Sequence, residues 1–263
     1  MEPPHRINVL GVGISEINYD SALAQIRPAI AERRKGYVTV TGVHGVSESQ
    51  DDPALCDIHN ASFLTTPDGM PMVWMGKLAG SRLIERVYGP DLMLLVLKDG
   101  IERGWRHFFF GGADGVAGAL SDSLVARFPG LQVVGTYTPP FRPLTAEEDA
   151  DLARQVAAAK PDCFWVGLST PKQERFMARY LPRLDTTLMF GVGAAFDFHA
   201  GRVPQAPAVL QRAGLEWAYR LTKEPKRLWK RYLRNNPIFL GRAFLQLTGL
   251  RHYPNVPRQL REW

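Results

Sequence analysis

A chain of 263 residues with 45% hydrophobic and 22% charged side chains has the balance of a globular protein with a sizeable core, which excludes a disordered or collagen-like chain. Only Cys56 and Cys163 occur, with no CxxC and no Cys/His quartet, so neither a disulfide framework nor a structural zinc site is expected and a reducing cytoplasm suits the chain. The net charge of +6 is unevenly spread: residues 201–263 hold 13 Lys/Arg and 3 Asp/Glu, net +10, while residues 1–200 hold 19 and 23, net −4. A basic tail on a mildly acidic body points to an anionic partner met locally, whether nucleic acid, phospholipid head groups or a phosphorylated substrate.

Met1 to Arg6 is short and Pro-rich and does not read as a signal peptide, and no uncharged apolar run reaches the roughly 18 residues of a membrane-crossing helix. The first strand is predicted at Ile7–Ile14, followed by an amphipathic helix at Ser21–Arg34 and strands at Tyr37–Gly42 and Ser62–Thr66. A helix at Met70–Gly80 and another at Leu92–Arg103 precede a strand at His107–Gly112. Then helices at Val116–Phe128, Ala146–Ala159 and Pro171–Leu181 alternate with strands at Gln132–Tyr137, Asp162–Leu168 and Thr187–Gly193. Near-continuous apolar strands alternating with helices predict an α/β fold: a Rossmann-like, mostly parallel sheet with helices on both faces, spanning residues 1–200.

Residues 201–263 are expected to form a basic amphipathic helical appendage. Arg220, Arg227, Arg231 and Arg234 recur at offsets of 7, 11 and 14, which puts them on one face of a helix, with Trp217, Leu228, Trp229, Tyr232 and Leu233 interleaved. Asn236-Pro237 reads as the start of a second helix, Ile238–Leu250, apolar apart from Arg242. Such helices suit a lipid head-group layer, and packing on the core is the plain alternative.

In parallel sheets ligands bind beyond the carboxyl ends of the strands, so residues just after each strand come first. Gly11-Val-Gly13-Ile-Ser-Glu16 has two of the three glycines of a dinucleotide loop, with Glu16 at the third. Gly111-Gly112-Ala113-Asp114-Gly115 opens a helix, where backbone N–H groups can hold a phosphate or where the glycines merely allow a tight turn. Polar residues also gather at Thr39-Val-Thr41-Gly42-Val-His44, at Thr65-Thr66-Pro67-Asp68-Gly69, at Gly167-Leu-Ser169-Thr170-Pro171-Lys172-Gln173-Glu174 and at Gly191-Val-Gly193-Ala-Ala-Phe-Asp197. Asp68 near a helix start is either a cap or turn residue or a functional carboxylate. Gln173 fits a capping box begun at Thr170. Asp149-Ala-Asp151 beside Glu147 and Glu148 reads as a solvated helix face and not a metal site, since residues two apart do not share a face. His44 and His199 read as hydrogen-bonded structural residues. No G-x-S-x-G, Walker A or H-E-x-x-H motif occurs.

Thr65-Thr66-Pro67-Asp68-Gly69-Met70-Pro71, Arg86-Val-Tyr-Gly-Pro-Asp91-Leu, Gly111-Gly112, Pro171-Lys172-Gln173-Glu174 and Gly191-Val-Gly193, in that order, resemble the WecG/TagA/CpsF glycosyltransferase family. The resemblance runs from residue 7 to residue 235 and includes Gly214-Leu-Glu-Trp217-Ala-Tyr-Arg220-Leu and Glu224-Pro-Lys-Arg227. It implies inverting transfer of a sugar (N-acetylmannosamine, glucose or a related hexose) from a UDP-sugar donor to a polyprenyl-diphosphate-linked acceptor. The setting would be the inner face of the plasma membrane, on anionic lipid, in teichoic acid or exopolysaccharide synthesis. No cofactor, no metal and no nucleic acid are expected, and a homo-oligomer fits the family.

In that resemblance Asp68 looks like the general base, and Arg86 and Gln173 lie near the nucleotide-sugar. Thr39 and Thr41 map to the family's Thr-x-Asn pair, with Thr41 departing from the usual Asn, which leaves the donor sugar open. Gly111, Gly112, Gly191 and Gly193 join the substrate-binding set. Arg220, Arg227 and Arg231 serve either the diphosphate or lipid. The chemistry agrees: an inverting transfer needs one carboxylate to take the acceptor's proton, and the departing diphosphate needs counter-charge, which arginines and helix N-termini supply. A nucleotide-dependent oxidoreductase built on Gly11-Val-Gly13 would need an acidic ribose ligand after the second strand, where Thr39 to His44 offers none. A non-catalytic nucleic-acid-binding protein would leave the strand-end cluster without a purpose.

Overall fold

The computed structural model describes residues 3–254, apart from the Arg227 side chain. The strands are β1 (Arg6–Val9), β2 (Val12–Ser15), β3 (Gly36–Thr41), β4 (Leu64–Pro67), β5 (Arg106–Gly111), β6 (Gln132–Tyr137), β7 (Cys163–Gly167) and β8 (Leu188–Gly191). The helices are α1 (Tyr19–Ala31), α2 (Val43–Asp51), α3 (Pro53–Ala61), α4 (Met70–Leu78), α5 (Gly89–Arg103), α6 (Val116–Arg127), α7 (Ala146–Ala159), α8 (Lys172–Tyr180), α9 (Ala195–His199), α10 (Ala208–Arg212), α11 (Glu216–Lys223) and α12 (Pro225–Leu247). Six strands form one parallel sheet in the order β4-β3-β8-β7-β5-β6. The chain gathers into two compact units, one from residues 3–19, Val40–Tyr88 and 205–254, the other from Asp20–Thr39 and Gly89–Pro204.

In the second unit, β7 and β8 carry Cys163, Phe164, Trp165, Val166, Leu188, Met189 and Phe190, all fully buried. Such unbroken apolar runs are what a sheet covered on both faces demands. Rings layer between neighbouring strands and between sheet and helix, with Trp165 of β7 stacked on Phe190 of β8 at 4.4 Å between centroids and Phe110 of β5 on Phe176 of α8 at 4.3 Å.

The first unit departs from the expected strand at Ile7–Ile14. The segment folds into an antiparallel hairpin of β1 and β2, with Val9 paired to Val12. Leu10 and Gly11 both take positive φ, 52° and 86°. That is the two-residue turn whose twist matches paired strands. The strained Leu10 is held by side chains, its N–H donating to Gln246 Oε1 (2.9 Å) and its carbonyl accepting from Gln50 Nε2 (2.6 Å). Gly11-Val-Gly13 is therefore a hairpin and not a phosphate loop, and the oxidoreductase reading loses its anchor.

The C-terminal helices also differ from expectation. Arg220 lies on α11 while Arg231 and Arg234 lie on α12, so the four arginines do not share one helix. The break at Glu224 (φ −133°, ψ 54°) follows from Pro225, whose ring disfavours helical backbone in the residue before it. Asn236-Pro237, in contrast, does not start a helix, because Pro237 sits inside the continuous α12. The proline falls on the outer side of the helix, where Leu233, whose carbonyl loses its amide partner, is an exposed residue (67%). Beyond the proline, packing takes over. Phe239 and Ala243 join a core cluster with Ile7, Val9, Leu10, Val12, Val46 and Met72.

Leu228, Asn235, Phe239 and Ala243 mark the buried stripe of α12, and Leu233, Leu240, Phe244 and Leu247 the exposed one. Polar ties complete the seat: Gln246 Nε2 donates to the Asn8 carbonyl (2.9 Å), and Arg234 and Arg242 both reach Asp51. Phe239→Ala should lower the unfolding free energy by about 3–4 kcal/mol, whereas Leu240→Ser should change it by less than about 0.5 kcal/mol. Urea unfolding followed by circular dichroism checks this, and equal losses would remove α12 from the core.

Candidate active site

Asp68 follows the last residue of β4. Its N–H donates to the Thr41 carbonyl (3.1 Å) at the end of β3, and its own carbonyl accepts from Arg86 Nε (2.8 Å). The residue that caps α4 is Gly69, in extended conformation, so Asp68 stands one residue outside the helix and is not its cap. The first-turn N–H groups of α4 favour negative charge there. Gly42 leaves room beneath the carboxylate, since a Cβ at that position would lie 3.7 Å from Asp68 Oδ2.

Around this loop the first unit assembles a charged group whose members are far apart in sequence. Arg86 stacks over the Tyr88 ring at 4.1 Å, donates to Gln211 Oε1 (3.1 Å) and forms an ion pair with Glu216 at the start of α11. The Tyr88 hydroxyl donates to the other oxygen of Glu216 (2.7 Å). Burial, reinforced by the Glu216 and Asp68 carboxylates, pushes the Tyr88 phenol far up and keeps it protonated, while Arg220 pulls weakly the other way. Asp68, Arg86 and Arg220, named from sequence, are thus brought together, and Tyr88 and Glu216 are added. Arg220 also lies 3.9 Å from Glu224. Arg231 sits on α12 with its guanidinium over the Tyr232 ring at 5.5 Å. The Arg227 side chain lies outside the described residues.

Thr41 is buried, and its hydroxyl meets His59 Nδ1 at 3.2 Å. His59 is fully buried, and burial, helped by the positive charge of Arg6, pulls its imidazole down to about 4. Arg6 in turn closes the C-terminal end of α3, donating to the Ser62 carbonyl (2.5 Å) and the Asn60 carbonyl (3.2 Å). Thr39, on the same strand, is buried with no hydroxyl partner among the described residues.

The second unit holds the remaining sequence-named residues. Gly111 (φ 126°) and Gly112 (φ 77°) end β5, and a Cβ on Gly111 would lie 2.6 Å from the Gly167 carbonyl oxygen, so the close approach of β5 to β7 demands glycine there. Gln173 does not complete a capping box, because Pro171 caps α8 and no side chain bonds to the helix start. The amide turns inward, and Nε2 donates to Glu174 Oε1 (3.0 Å) and to the Gly191 carbonyl (3.3 Å). Glu174 is fully buried, accepts from the Thr170 hydroxyl (2.9 Å), and is pushed toward its protonated form by burial. A Cβ at Gly193 would lie 3.4 Å from Gln173 Oε1 and 3.1 Å from the Leu168 carbonyl, a tight fit for anything larger than glycine.

The two histidines read as structural are hydrogen-bonded, His44 to Asn235 (2.8 Å) and His199 to the Pro90 carbonyl (3.0 Å). Asp149 and Asp151 pair with Arg183 and Arg154. Among the described residues no group of three or more His, Cys, Asp or Glu could hold a metal ion. No helix among them is long and apolar enough to cross a membrane.

The model of the Glycosyl transferase WecG/TagA/CpsF family matches residues 7–253. The chain belongs to this family. It is a glycosyltransferase, and the match extends past α12, beyond where the motifs of the sequence end. A relative from Bacillus spizizenii (strain ATCC 23059 / NRRL B-14472 / W23) is 30% identical over 228 residues, 86% of each chain. One from Bacillus subtilis (strain 168) is 31% identical over 177 residues, 67% of each. One from Staphylococcus aureus (strain MW2) is 23% identical over 237 residues, 89% of this chain and 91% of its own. Each is named N-acetylglucosaminyldiphosphoundecaprenol N-acetyl-beta-D-mannosaminyltransferase.

The His59 imidazole beneath Thr41 gives the glycosyltransferase a pH signature. In the unfolded chain it takes up a proton near pH 6.5, while in the folded chain it stays neutral down to about 4. Over that window the unfolded state binds more protons at this site, so the His59 contribution to stability is full above pH 6.5 and is lost as pH falls toward 4. His107, pulled down to about 3 by burial, adds a loss of the same sign. Urea titrations between pH 4 and 7 should show the decline, and His59→Gln should flatten it; an unchanged slope would take His59 out of the account.

Proposed function

We propose that this glycosyltransferase moves a sugar from a UDP-sugar to a polyprenyl-diphosphate-linked acceptor, with inversion at the anomeric carbon and Asp68 as general base. The observation that carries the reading is the Asp68 loop, which stands just outside α4 and is gripped through its backbone by Arg86 beside Tyr88, Glu216 and Arg220. The acceptor class is supported by the relatives, whose names specify transfer to N-acetylglucosaminyldiphosphoundecaprenol.

In the proposed reaction the Asp68 carboxylate takes the proton of the acceptor hydroxyl. The oxygen's electron pair then forms the new bond to the anomeric carbon, and the bond to the diphosphate breaks with its electrons leaving on UDP. Arg220, Arg227 and Arg231 supply the counter-charge to the departing diphosphate. Arg86 is already engaged by Asp68, Gln211 and Glu216, which supports a holding role at the base. Thr39, Thr41, Gln173 and the turns at Gly111, Gly112, Gly191 and Gly193 are the proposed donor contacts.

The exposed stripe of α12, Leu233, Leu240, Phe244 and Leu247, in a segment of net +10, supports docking on an anionic membrane surface.

Asp68→Asn should lower turnover by about 100-fold or more while UDP binding is largely kept, since general-base assistance is typically worth 10²–10⁴. Turnover is measured with UDP-N-acetylmannosamine or UDP-glucose and a short-chain polyprenyl-diphosphate acceptor, and activity within a few-fold of the parent would remove Asp68 from the role. Because arginines are the proposed counter-charge, turnover should also persist in excess EDTA. Abolition by EDTA with recovery on adding magnesium or manganese would assign that task to a metal ion.

A further inference from the structure

Glu216 is a carboxylate that the motif chemistry leaves without a task, one of 3 acidic residues in the strongly basic segment 201–263. Its side chain is only 14% exposed and faces Arg86, itself 15% exposed. One oxygen pairs with the Arg86 guanidinium and the other accepts from the Tyr88 hydroxyl (2.7 Å). The remaining arms of Arg86 are also assigned, Nη1 to Gln211 and Nε to the Asp68 carbonyl at 2.8 Å. Gln211 is itself anchored, donating to the Ala206 carbonyl (2.7 Å). The guanidinium plane lies over Tyr88. A planar fork held at each of its edges and on one face has a single orientation, and the Nε–H that grips Asp68 inherits it. Lysine, a point charge on a flexible stem, has no Nε–H to give.

We infer that Glu216 is a positioning residue, acting through Arg86 to fix the backbone of Asp68 and with it the direction of the Asp68 carboxylate toward the acceptor hydroxyl. The inference rests on the general-base reading of Asp68. Glu216 touches no reacting atom; it sets Arg86, and Arg86 sets the loop. Its charge has a second effect, because it balances the Arg86 guanidinium close to the base. An arginine left uncompensated there favours the ionised form of Asp68 and so lowers the pH at which the base loses its proton.

The test uses the full chain with Glu216→Gln, Glu216→Asp, Arg86→Lys and the Glu216→Gln/Arg86→Lys double variant. UDP is the binding probe, and UDP-N-acetylmannosamine or UDP-glucose with a short-chain polyprenyl-diphosphate acceptor reports turnover. Glu216→Gln should lower kcat at least 10-fold with UDP affinity held within about 2-fold. The acid limb of its kcat/KM profile should move to lower pH, which a loss of packing alone would not produce. Glu216→Asp, keeping the charge, should recover most of kcat, and the double variant should be no slower than Arg86→Lys, because both act through one contact. Additive losses in the double variant, or a Glu216→Gln enzyme with unchanged kcat, would overturn the inference. So would tighter UDP binding by Glu216→Gln, which would make Glu216 a stand-in for a substrate phosphate. If Glu216→Gln fails to fold, Glu216→Asp against Arg86→Lys decides, and an aspartate variant as slow as the lysine variant overturns it. An active Asp68→Asn enzyme would instead sink the general-base reading, whereas an inactive one beside a normal Glu216→Gln sinks only this inference.

Discussion

The first unit is organised around one guanidinium. Arg86 reaches segments that lie 18, 125 and 130 residues away along the chain: the Asp68 loop, α10 and α11. A partly buried arginine is stable only when its charge is answered and its donors are used, and here a carboxylate, an amide oxygen, a backbone carbonyl and an aromatic face do both. Removing any partner leaves charge or donors without an answer in a poorly hydrated place. The segment after residue 205 is therefore bound to the Asp68 loop by electrostatic necessity as well as by packing.

The same dependence appears at the N-terminal hairpin. Leu10 adopts a backbone conformation that a leucine does not choose, and the side chains of Gln246 and Gln50 satisfy its N–H and carbonyl where no strand partner does. Asn8, on the strand before the turn, donates to the Tyr253 carbonyl (2.5 Å), so the hairpin also leans on the last described residues. The C-terminal segment thus has two faces with different duties. One completes the apolar core begun by Ile7 and Val9, and the other keeps leucines and a phenylalanine in contact with solvent at a cost that a lipid surface would relieve.

The second unit shows a different balance, in which close backbone approach dictates residue type. Gly111, Gly191 and Gly193 each sit where a Cβ would press on a neighbour, so their presence follows from packing before any ligand is considered. Gln173 and Glu174 form a buried polar pair whose remaining oxygens have no partner among the described residues. That is an expensive arrangement in the first turn of α8 and one that apolar residues would have avoided.

The sequence by itself determined the alternation of strands and helices from Met70 to Gly193, the parallel sheet, the strand ends that carry the polar residues, and a set of motifs specific enough for the family, but not α2 and α3 between β3 and β4. These depend on near neighbours: the period of apolar side chains, a proline after a strand, glycines at a turn. Only the tertiary structure decided that Ile7–Ile14 turns back as a hairpin, that Pro237 stays inside a helix, and that Arg86 meets Glu216. A strand and a hairpin of eight residues have nearly the same local pattern, and the choice was made by Gln246, more than two hundred residues away. Pro237 favours a helix start locally, and burial of Phe239 and Ala243 overrides it. The ion pair between Arg86 and Glu216 joins residues 130 apart, and no local periodicity specifies a pairing at that separation, because it forms only when packing has already brought the two segments together.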